Sequence, residues 1–235
     1  MNRQIWIDWK INKPCPTCLI GRLVENGKTS FNQSETYASK LLTSDGYPSF
    51  EYVFTEQLKC NNCGEAVVAM GNKSEDSYPN VDGENDLFIK YFSFYPHPNI
   101  IDIPKSCPET VKKVLYESFG LFWIDKNSCA NKIRIAVEAL MDLKTNKTQI
   151  NQKGKRKTIT LHDRIMLYKL KNPEVSNYLL AIKWTGNAGS HLSNVTVEQL
   201  LDSYELMEYA LELLYNDRRK DLTKKSKAIN KRKKP

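Results

Sequence analysis

Two pairs of cysteines are the residues whose types and spacing most directly predict chemistry in this 235-residue chain. Cys15 and Cys18 lie in "CPTC", and Cys60 and Cys63 lie in "CNNCG", so each pair has a two-residue gap. This gap lets neighbouring thiolates point at one ion, and two such pairs supply the four ligands of a tetrahedral zinc site. We therefore predict that these four cysteines hold a structural Zn²⁺ ion, with Gly64 allowing a tight turn after the second pair.

Two disulfides or a redox dithiol are the other interpretations of these pairs. The sequence has no apolar run long enough for a transmembrane helix, and its N-terminus lacks the apolar core of a signal peptide. We therefore expect a cytoplasmic protein without a membrane segment, and disulfides are rare in that compartment. Two matched pairs argue against a redox dithiol. The remaining cysteines, Cys107 and Cys129, fall in helical patterns and are expected to be buried.

His191 is a second candidate for chemistry, in the stretch "KWTGNAGSHL". An imidazole titrates near neutral pH, so His191 is a candidate acid or base. It is also a candidate ligand contact, or a structural residue that caps neighbouring carbonyls. In the structural interpretation, Asn187 ends a helix in the left-handed conformation, and Gly186 or Gly189 relieves the strain. All three interpretations stay open. The other histidines, His97 and His162, are expected at the surface.

Arg134 and Glu138 lie four residues apart in a predicted helix, so they share one edge of it. The guanidinium of Arg134 could hold a phosphate oxygen through two hydrogen bonds. The alternative favoured by the spacing is an ion pair between the two residues.

The positive charge of the chain is concentrated at its C-terminus. The formal net charge is +8, and residues 218–235 hold ten Lys or Arg and one acid, which is +9; the rest is therefore 8 − 9 = −1. The segment has no aromatic residue and few apolar ones, which predicts a disordered tail. It is either a phosphate-seeking arm or a solubilising tail. The candidate nucleic-acid contacts are Lys224, Lys225, Lys231, Arg232, Lys233 and Lys234.

The elements that must position these residues change in character along the chain. "SFEYVF", "EAVVAM" and the aromatic "LFIKYFSFYP" predict strands, and the polar "TSDGYP" predicts a turn. The polar stretch 71–86 is interpreted as a linker. Helices are predicted from about Ser106 onwards, the first of them capped by "SCPE". The basic stretch 144–158 between two helices is interpreted as a mobile insertion, with phosphate contact as the alternative.

Apolar residues at helical spacing predict how the helices pack. Ile133, Val137 and Leu140 form one predicted buried face, and "TLHD" from Thr160 to Asp163 predicts a helix start. A further helix begins at Pro173 and weakens at Gly186. The last helix carries an apolar stripe that we interpret as core: Leu200, Tyr204, Met207, Leu211 and Leu214.

The second half of the chain resembles a known family. The order is "RIAVE" on a helix, a basic loop, and "GNAGSH" before a long terminal helix. This order resembles the domain-of-unknown-function family 4145 of the HEPN-like superfamily of helical domains, over about residues 103–216. A zinc ribbon is a familiar companion of such domains, and the two cysteine pairs match it.

The resemblance implies a helical bundle that often forms dimers, and the active members of the superfamily are metal-independent ribonucleases. By position it makes Arg134, Glu138, Asn187 and His191 the candidate catalytic residues. Proteins with this domain also recur beside restriction and phage-defence systems. This sequence departs from the nuclease pattern, because no arginine stands four to six residues before His191 and the nearest cation is Lys183.

We therefore expect an α+β protein with a small β-rich zinc ribbon followed by a mostly α-helical HEPN-like bundle. The predicted boundaries are a zinc ribbon with an insertion at 1–75, a β-containing connector at 76–102, the bundle at 103–216 and the tail at 217–235. The expected function is a nucleic-acid-associated interaction module that forms a homodimer. The resemblance implies a place in a phage-defence or restriction-linked system, with a protein partner there. A metal-independent ribonuclease using His191 and a regulatory subunit of another enzyme are the alternatives. A phosphate loop or a carboxylate cluster for magnesium is not found in the sequence, which argues against an ATPase and a metal-dependent nuclease.

Overall fold

The chain folds into two compact units. The structure is a computed structural model that describes residues 1–8, 10–33, 50–79, 85–150, 156–189, 194–215 and 217–232. The β unit comprises residues 2–100 together with 122–124. The helical unit comprises residues 101–121 and 125–235 together with Met1. Among the described residues, no helix has the length and apolar character needed to cross a membrane.

The β unit is built on an antiparallel sheet. After a short helix α1 (Gln4–Ile7), its strands are β1 (Leu23–Glu25), β2 (Ser30–Gln33), β3 (Phe50–Cys60), β4 (Ala66–Pro79) and β5 (Asn85–Tyr95). The order is β1-β3-β4-β5, and β2 also pairs with β3. Strand β1 faces Leu58–Cys60 and β2 faces Tyr52–Thr55, so the two short strands follow one another along the same edge of β3. The three predicted strand segments are thus confirmed as parts of β3, β4 and β5.

The linker predicted at 71–86 is wrong over the described residues. Strand β4 continues to Pro79, where it pairs with Asn85 of β5. The polar composition suggested a linker, but residues 71–75 pair with β3 on one side and with β5 on the other. Backbone pairing satisfies the peptide groups whatever the side chains are. The connector predicted at 76–102 therefore begins with strands of the same sheet, and the predicted turn at 43–48 lies outside the described residues.

Gly71 marks an irregular point in this hairpin. The β4–β5 register shifts between Met70 and Gly71. A Cβ atom at Gly71 would lie 2.2 Å from the carbonyl oxygen of Lys90 and 2.9 Å from the ring of Phe54. Glycine is therefore required where the two strands and an aromatic ring approach most closely.

The helical unit contains six helices and a β-hairpin among the residues described. The helices are α2 (Glu109–Ile124), α3 (Lys126–Lys144), α4 (Leu161–Lys169), α5 (Pro173–Gly189), α6 (Val197–Tyr215) and α7 (Asp217–Arg232). The last three residues of α2 belong to the β unit. Ile133, Val137 and Leu140 are buried as predicted. In the stripe of α6, Leu200, Tyr204, Met207 and Leu211 are buried, and Leu214 is half-buried.

Two of the helix starts are set by side-chain caps. The Thr160 hydroxyl accepts a hydrogen bond from the backbone N–H of Asp163 at 3.2 Å, which confirms the predicted start of α4. Asp125 caps α3 by accepting from the N–H of Ser128. The cap predicted in "SCPE" is wrong, because α2 begins after Pro108 and the Ser106 hydroxyl donates to the carbonyl of Tyr215 at 2.7 Å.

Two basic segments that were predicted to lack regular structure contain it. Within 144–158, β6 (Thr148–Ile150) pairs with β7 (Arg156–Thr158) in an antiparallel hairpin. The predicted disordered tail contains helix α7 up to Arg232. Lys and Arg are good helix formers. Asp217 at the first turn and Lys231 and Arg232 at the last turn also suit the helix dipole.

Helices α3 and α5 pack closely at a pair of glycines. Helix α5 continues through Gly186 to Gly189, so the predicted weakening at Gly186 is wrong. No described residue other than Leu19 and glycines has a positive φ, so Asn187 does not adopt the left-handed conformation. A Cβ atom at Gly186 would lie 2.4 Å from Cβ of Arg134 and 2.9 Å from the carbonyl oxygen of Ala130. The glycine serves close packing between helices.

We expect Gly186→Ala to lower the free energy of unfolding of the helical unit by about 1–3 kcal/mol because the added methyl overlaps α3. In an exposed helix interior the same change raises stability by about 1 kcal/mol. Ala181→Gly, at an exposed position of α5, is the control and is expected to cost about 1 kcal/mol through helix propensity alone. Urea denaturation followed by far-UV circular dichroism measures both, and a more stable Gly186→Ala variant would contradict the close packing of α3 on α5.

Candidate metal centre

The four predicted cysteines lie together in the β unit. The Sγ atoms of Cys15 and Cys63 are 3.6 Å apart, as are those of Cys18 and Cys60, and all four Sγ atoms lie within 4.8 Å of one another. Four sulfurs around one zinc ion at about 2.3 Å are separated by about 3.8 Å when the site is tetrahedral. The cluster therefore has the donors and the spacing to hold one metal ion.

Strand pairing brings the two cysteine pairs together. Leu23 of β1 lies opposite Cys60 at the end of β3. Just before β1, the backbone N–H of Cys15 donates to the carbonyl of Gly21 at 2.9 Å, closing the first turn. The N–H of Cys60 donates to the carbonyl of Glu65 at 2.8 Å, closing the second. The sheet thus presents two similar turns side by side, although 41 residues separate them in sequence.

Amide groups favour the thiolate form at two of the four sulfurs, those of Cys18 and Cys60. The N–H of Gly21 donates to Sγ of Cys18 at 3.3 Å, and the side-chain amide of Asn62 donates to the same atom at 3.5 Å. Led by the Gly21 hydrogen bond, these contacts lower the pKa of Cys18 to about 6. The N–H of Cys63 likewise leads the lowering of the pKa of Cys60. Donors of this kind orient metal ligands and stabilise their charge.

Two turn residues beside the cluster adopt the left-handed conformation at equivalent positions. Gly64 follows the second cysteine of its pair with φ of 76°, and Leu19 follows the second cysteine of the other pair with φ of 61°. Glycine adopts this conformation without strain, whereas leucine does not. Leu19 is half exposed, so burial of its side chain does little to offset the strain.

The sequence reasoning missed three residues of the centre: Leu19, Gly21 and Asn62. A Cβ atom at Gly21 would lie 2.3 Å from Sγ of Cys60, so only glycine fits there. The sequence could have indicated two of these residues through their positions relative to the cysteines. Leu19 and Gly64 share one such position, and Gly21 is three residues after Cys18.

The two remaining cysteines are buried in the helical unit, as predicted. Burial raises the pKa of Cys129 to about 12 and that of Cys107 to about 11. Sγ of Cys129 lies 3.2 Å from the hydroxyl of Tyr204, which donates to the hydroxyl of Ser118 at 2.9 Å. These thiols are therefore unreactive core residues.

Among the candidate catalytic residues of the helical unit, Arg134 and Glu138 are in direct contact and Asn187 follows a glycine packed against Arg134. Arg134 Nη2 lies 3.0 Å from Oε1 of Glu138, so the predicted ion pair is present. Asn187 lies in α5, one residue after the glycine that contacts Arg134. Lys183 is buried, and desolvation followed by the charge of Arg134 lowers its pKa. His191 lies outside the described residues, so its role stays a prediction.

The other two histidines are less exposed than predicted. His97 and His162 are both half-buried, and Nδ1 of each is buried without a hydrogen-bond partner among the described residues. The ring of His162 lies 6.1 Å from that of Trp184. Within the β unit, the described His97 is not one of the grouped ligands of the cysteine cluster.

Each unit is similar to a protein family. Residues 116–232 match the model of DUF4145, a domain of unknown function. The match supports the resemblance read from the helices and extends it through α7, which lies beyond the expected boundary at residue 216. Residues 3–99 match a second domain of unknown function, DUF8608, over a range that includes both cysteine pairs and the β4–β5 hairpin. No curated protein matches the chain, and no solved structure matches it.

We expect the purified chain to bind one zinc ion, because four thiolates at this spacing suit tetrahedral zinc. Cys60→Ser removes one ligand and should lose the metal, whereas Cys107→Ser, outside the cluster, should keep it. Elemental analysis measures zinc per chain, and Co²⁺ substitution reports thiolate coordination through its charge-transfer bands. Equal metal content in the two variants would contradict the assignment of the cluster.

The left-handed positions provide a matched pair of substitutions. Leu19→Asn should raise the free energy of unfolding of the metal-loaded β unit by up to about 1 kcal/mol, because asparagine tolerates this conformation better than leucine. Gly64→Ala should lower it by about 1 kcal/mol, because alanine at positive φ is strained. Thermal melting of the two variants beside the parent protein measures the effects, and a shift of the same sign in both would refute the conformational explanation.

Proposed function

We propose that this chain is a nucleic-acid-binding protein in which helix α7 contacts the phosphate backbone and a Zn²⁺ ion in the cysteine cluster stabilises the β unit. The observation that carries the proposal is the concentration of positive charge on α7. Residues 217–232 hold eight Lys or Arg and two Asp, whereas the chain before residue 218 has a net charge of −1. Binding of a polyanionic partner explains a block of charge on one element better than a general gain in solubility does.

The exposure of the described α7 side chains supports contact with phosphates. Every residue from Asp221 to Arg232 is exposed. Lys224, Lys227 and Lys231 follow one another at helical spacing, so they share one face over about 10 Å. One strand of B-form DNA presents about three phosphates over that length. Lys225 and Arg232 lie on the neighbouring face, and Lys233 and Lys234 lie outside the described residues.

Contacts of this kind bind nucleic acid without reading its sequence. Lysine ammonium groups hold phosphates as point charges, and phosphate contacts fix position more than base identity. The proposal therefore covers RNA and DNA, and a role within a defence system is the setting that the resemblance suggests. The zinc ion acts in this proposal as a cross-link of the β unit, since all four cysteines are used as its ligands.

The ribonuclease alternative receives less support from the geometry. The guanidinium of Arg134 pairs with Glu138 and also lies 3.4 Å from Oδ1 of Asn131 through Nη1. A phosphate would have to compete with the Glu138 carboxylate for this arginine. Binding through α7 requires no such rearrangement.

We expect replacement of three lysines on one face of α7, Lys224→Gln, Lys227→Gln and Lys231→Gln together, to weaken nucleic-acid binding. Each lost phosphate contact on a DNA duplex should reduce the slope of log K against log salt by about 0.9. Fluorescence anisotropy with labelled duplex DNA and single-stranded RNA over a salt series measures the affinity and the slope.

The matched control for charge replaces three exposed lysines elsewhere in the helical unit, Lys105→Gln, Lys113→Gln and Lys169→Gln. It changes the net charge equally and should leave most of the slope intact. Equal losses in the two triple variants would mean that net charge, not α7, determines binding. Absence of binding by the parent protein at low salt would overturn the proposal.

A further inference from the structure

The sheet of the β unit contains a cleft whose residues have no role in the proposed function. It has a volume of about 630 Å³, and it opens where β1 ends and β2 begins. Phe54 and Tyr91 line it from β3 and β5, and Phe31 lines it from β2. The rings of Phe31 and Phe54 are 6.2 Å apart, and those of Phe54 and Tyr91 are 5.6 Å apart in an edge-to-face arrangement. The cleft therefore has an aromatic wall.

Two carboxylates also line the cleft. Glu56 is half-buried on β3 and accepts a hydrogen bond from the Tyr91 hydroxyl at 2.8 Å. Glu25, at the end of β1, accepts from the Thr29 hydroxyl at 3.2 Å. Desolvation raises the pKa of Glu56, the hydrogen bond from Tyr91 lowers it, and the charge of Glu25 raises it further. Over the described residues, neither carboxylate has a cationic group within the 4.0 Å of an ion pair.

Three lysines lie in or near the cleft. Lys10 and Lys28 line it, and both are exposed to water. Lys73 lies outside the lining, with Nζ 5.0 Å from the centroid of the Phe31 ring. That contact shows an ammonium group already attracted to one ring of this aromatic wall.

We propose that this cleft binds an organic cation, an ammonium or guanidinium group, carried by a lysine or arginine side chain of a partner protein or by a free amine. Aromatic faces attract such cations, most strongly where water is partly excluded. A half-buried carboxylate adds a charge-assisted hydrogen bond, which is stronger than a neutral one. The volume lies within the range of ordinary ligand pockets.

The burial of the charged groups favours a cation at the aromatic wall of this cleft. Lys10 and Lys28 are exposed, where water and salt screen their charges, whereas the Glu56 carboxylate is half-buried beside Tyr91. The inference goes beyond the proposed function and does not depend on it.

The test uses the zinc-loaded full-length chain and a matched pair of probes in isothermal titration calorimetry. N-acetyl-arginine methylamide carries the guanidinium, and N-acetyl-citrulline methylamide is its neutral counterpart of nearly equal shape. We expect the arginine probe to bind and the citrulline probe to bind at least about tenfold more weakly, since a charge-assisted hydrogen bond is roughly twice as strong as a neutral one. A glycine-serine peptide with one central arginine distinguishes the sources of the cation. Tighter binding of the peptide indicates a protein partner, and equal binding indicates a free organic cation.

Substitutions locate the binding in the cleft. Glu56→Gln should weaken binding of the arginine probe by about tenfold, and Phe31→Leu, at a half-exposed ring, should weaken it without disturbing the fold. Glu174→Gln, at an exposed position of α5, makes the same change of charge outside the cleft and should have no effect. Circular dichroism and zinc content verify that each variant is folded. Equal binding of the arginine and citrulline probes, unchanged affinity in both cleft variants, or no binding of any cationic probe would overturn the proposal.

Discussion

The pairing of β1 with the end of β3 is the contact on which the architecture of the β unit depends. It places Leu23 opposite Cys60 and so brings together two turns that are far apart in sequence. Cys15 and Cys60 are themselves members of the buried core cluster, together with Leu23, Leu58, Val67, Ala69 and Phe94. A metal ion held by the cluster would therefore stabilise the same few residues as the apolar packing does. A small sheet with a limited core is the setting in which a metal ion contributes most to folding.

The sequence predicted best where a local pattern has one geometric meaning. Two cysteine pairs with equal gaps predicted the cluster, and apolar spacing predicted the buried faces of α3 and α6. Composition was misleading where backbone hydrogen bonds decide the structure, as in the polar end of β4 and the basic helix α7. The helix was wrongly predicted to weaken at Gly186 for a related reason. A glycine at a helix crossing has the same sequence signature as one that ends a helix. Its role depends on Arg134, more than fifty residues away in the chain.

The cleft residues illustrate a second limit of sequence reasoning. Glu25, Phe31, Glu56 and Tyr91 come from four different strands and share no spacing that could mark them as a group. They meet because β1 and β2 follow one another along β3, and β4 places β5 beside it. The cationic helix and the carboxylate-lined cleft are thus different kinds of feature. The first is local and visible in composition, and the second exists only after the sheet has formed.

The separation between the two cysteine pairs also determines the order in which the β unit can assemble. During synthesis the first pair emerges long before the second, and two thiolates alone are an incomplete ligand set for a tetrahedral ion. The site can close only after the chain through Cys63 has left the ribosome. Joining the ends of an unfolded 41-residue segment costs about 3 kcal/mol in chain entropy, which the β1–β3 pairing helps to offset. Capture of a metal ion at this cluster would therefore be a late step in the maturation of the N-terminal half, and helices α2 to α7 are synthesised only after the four cysteines are complete.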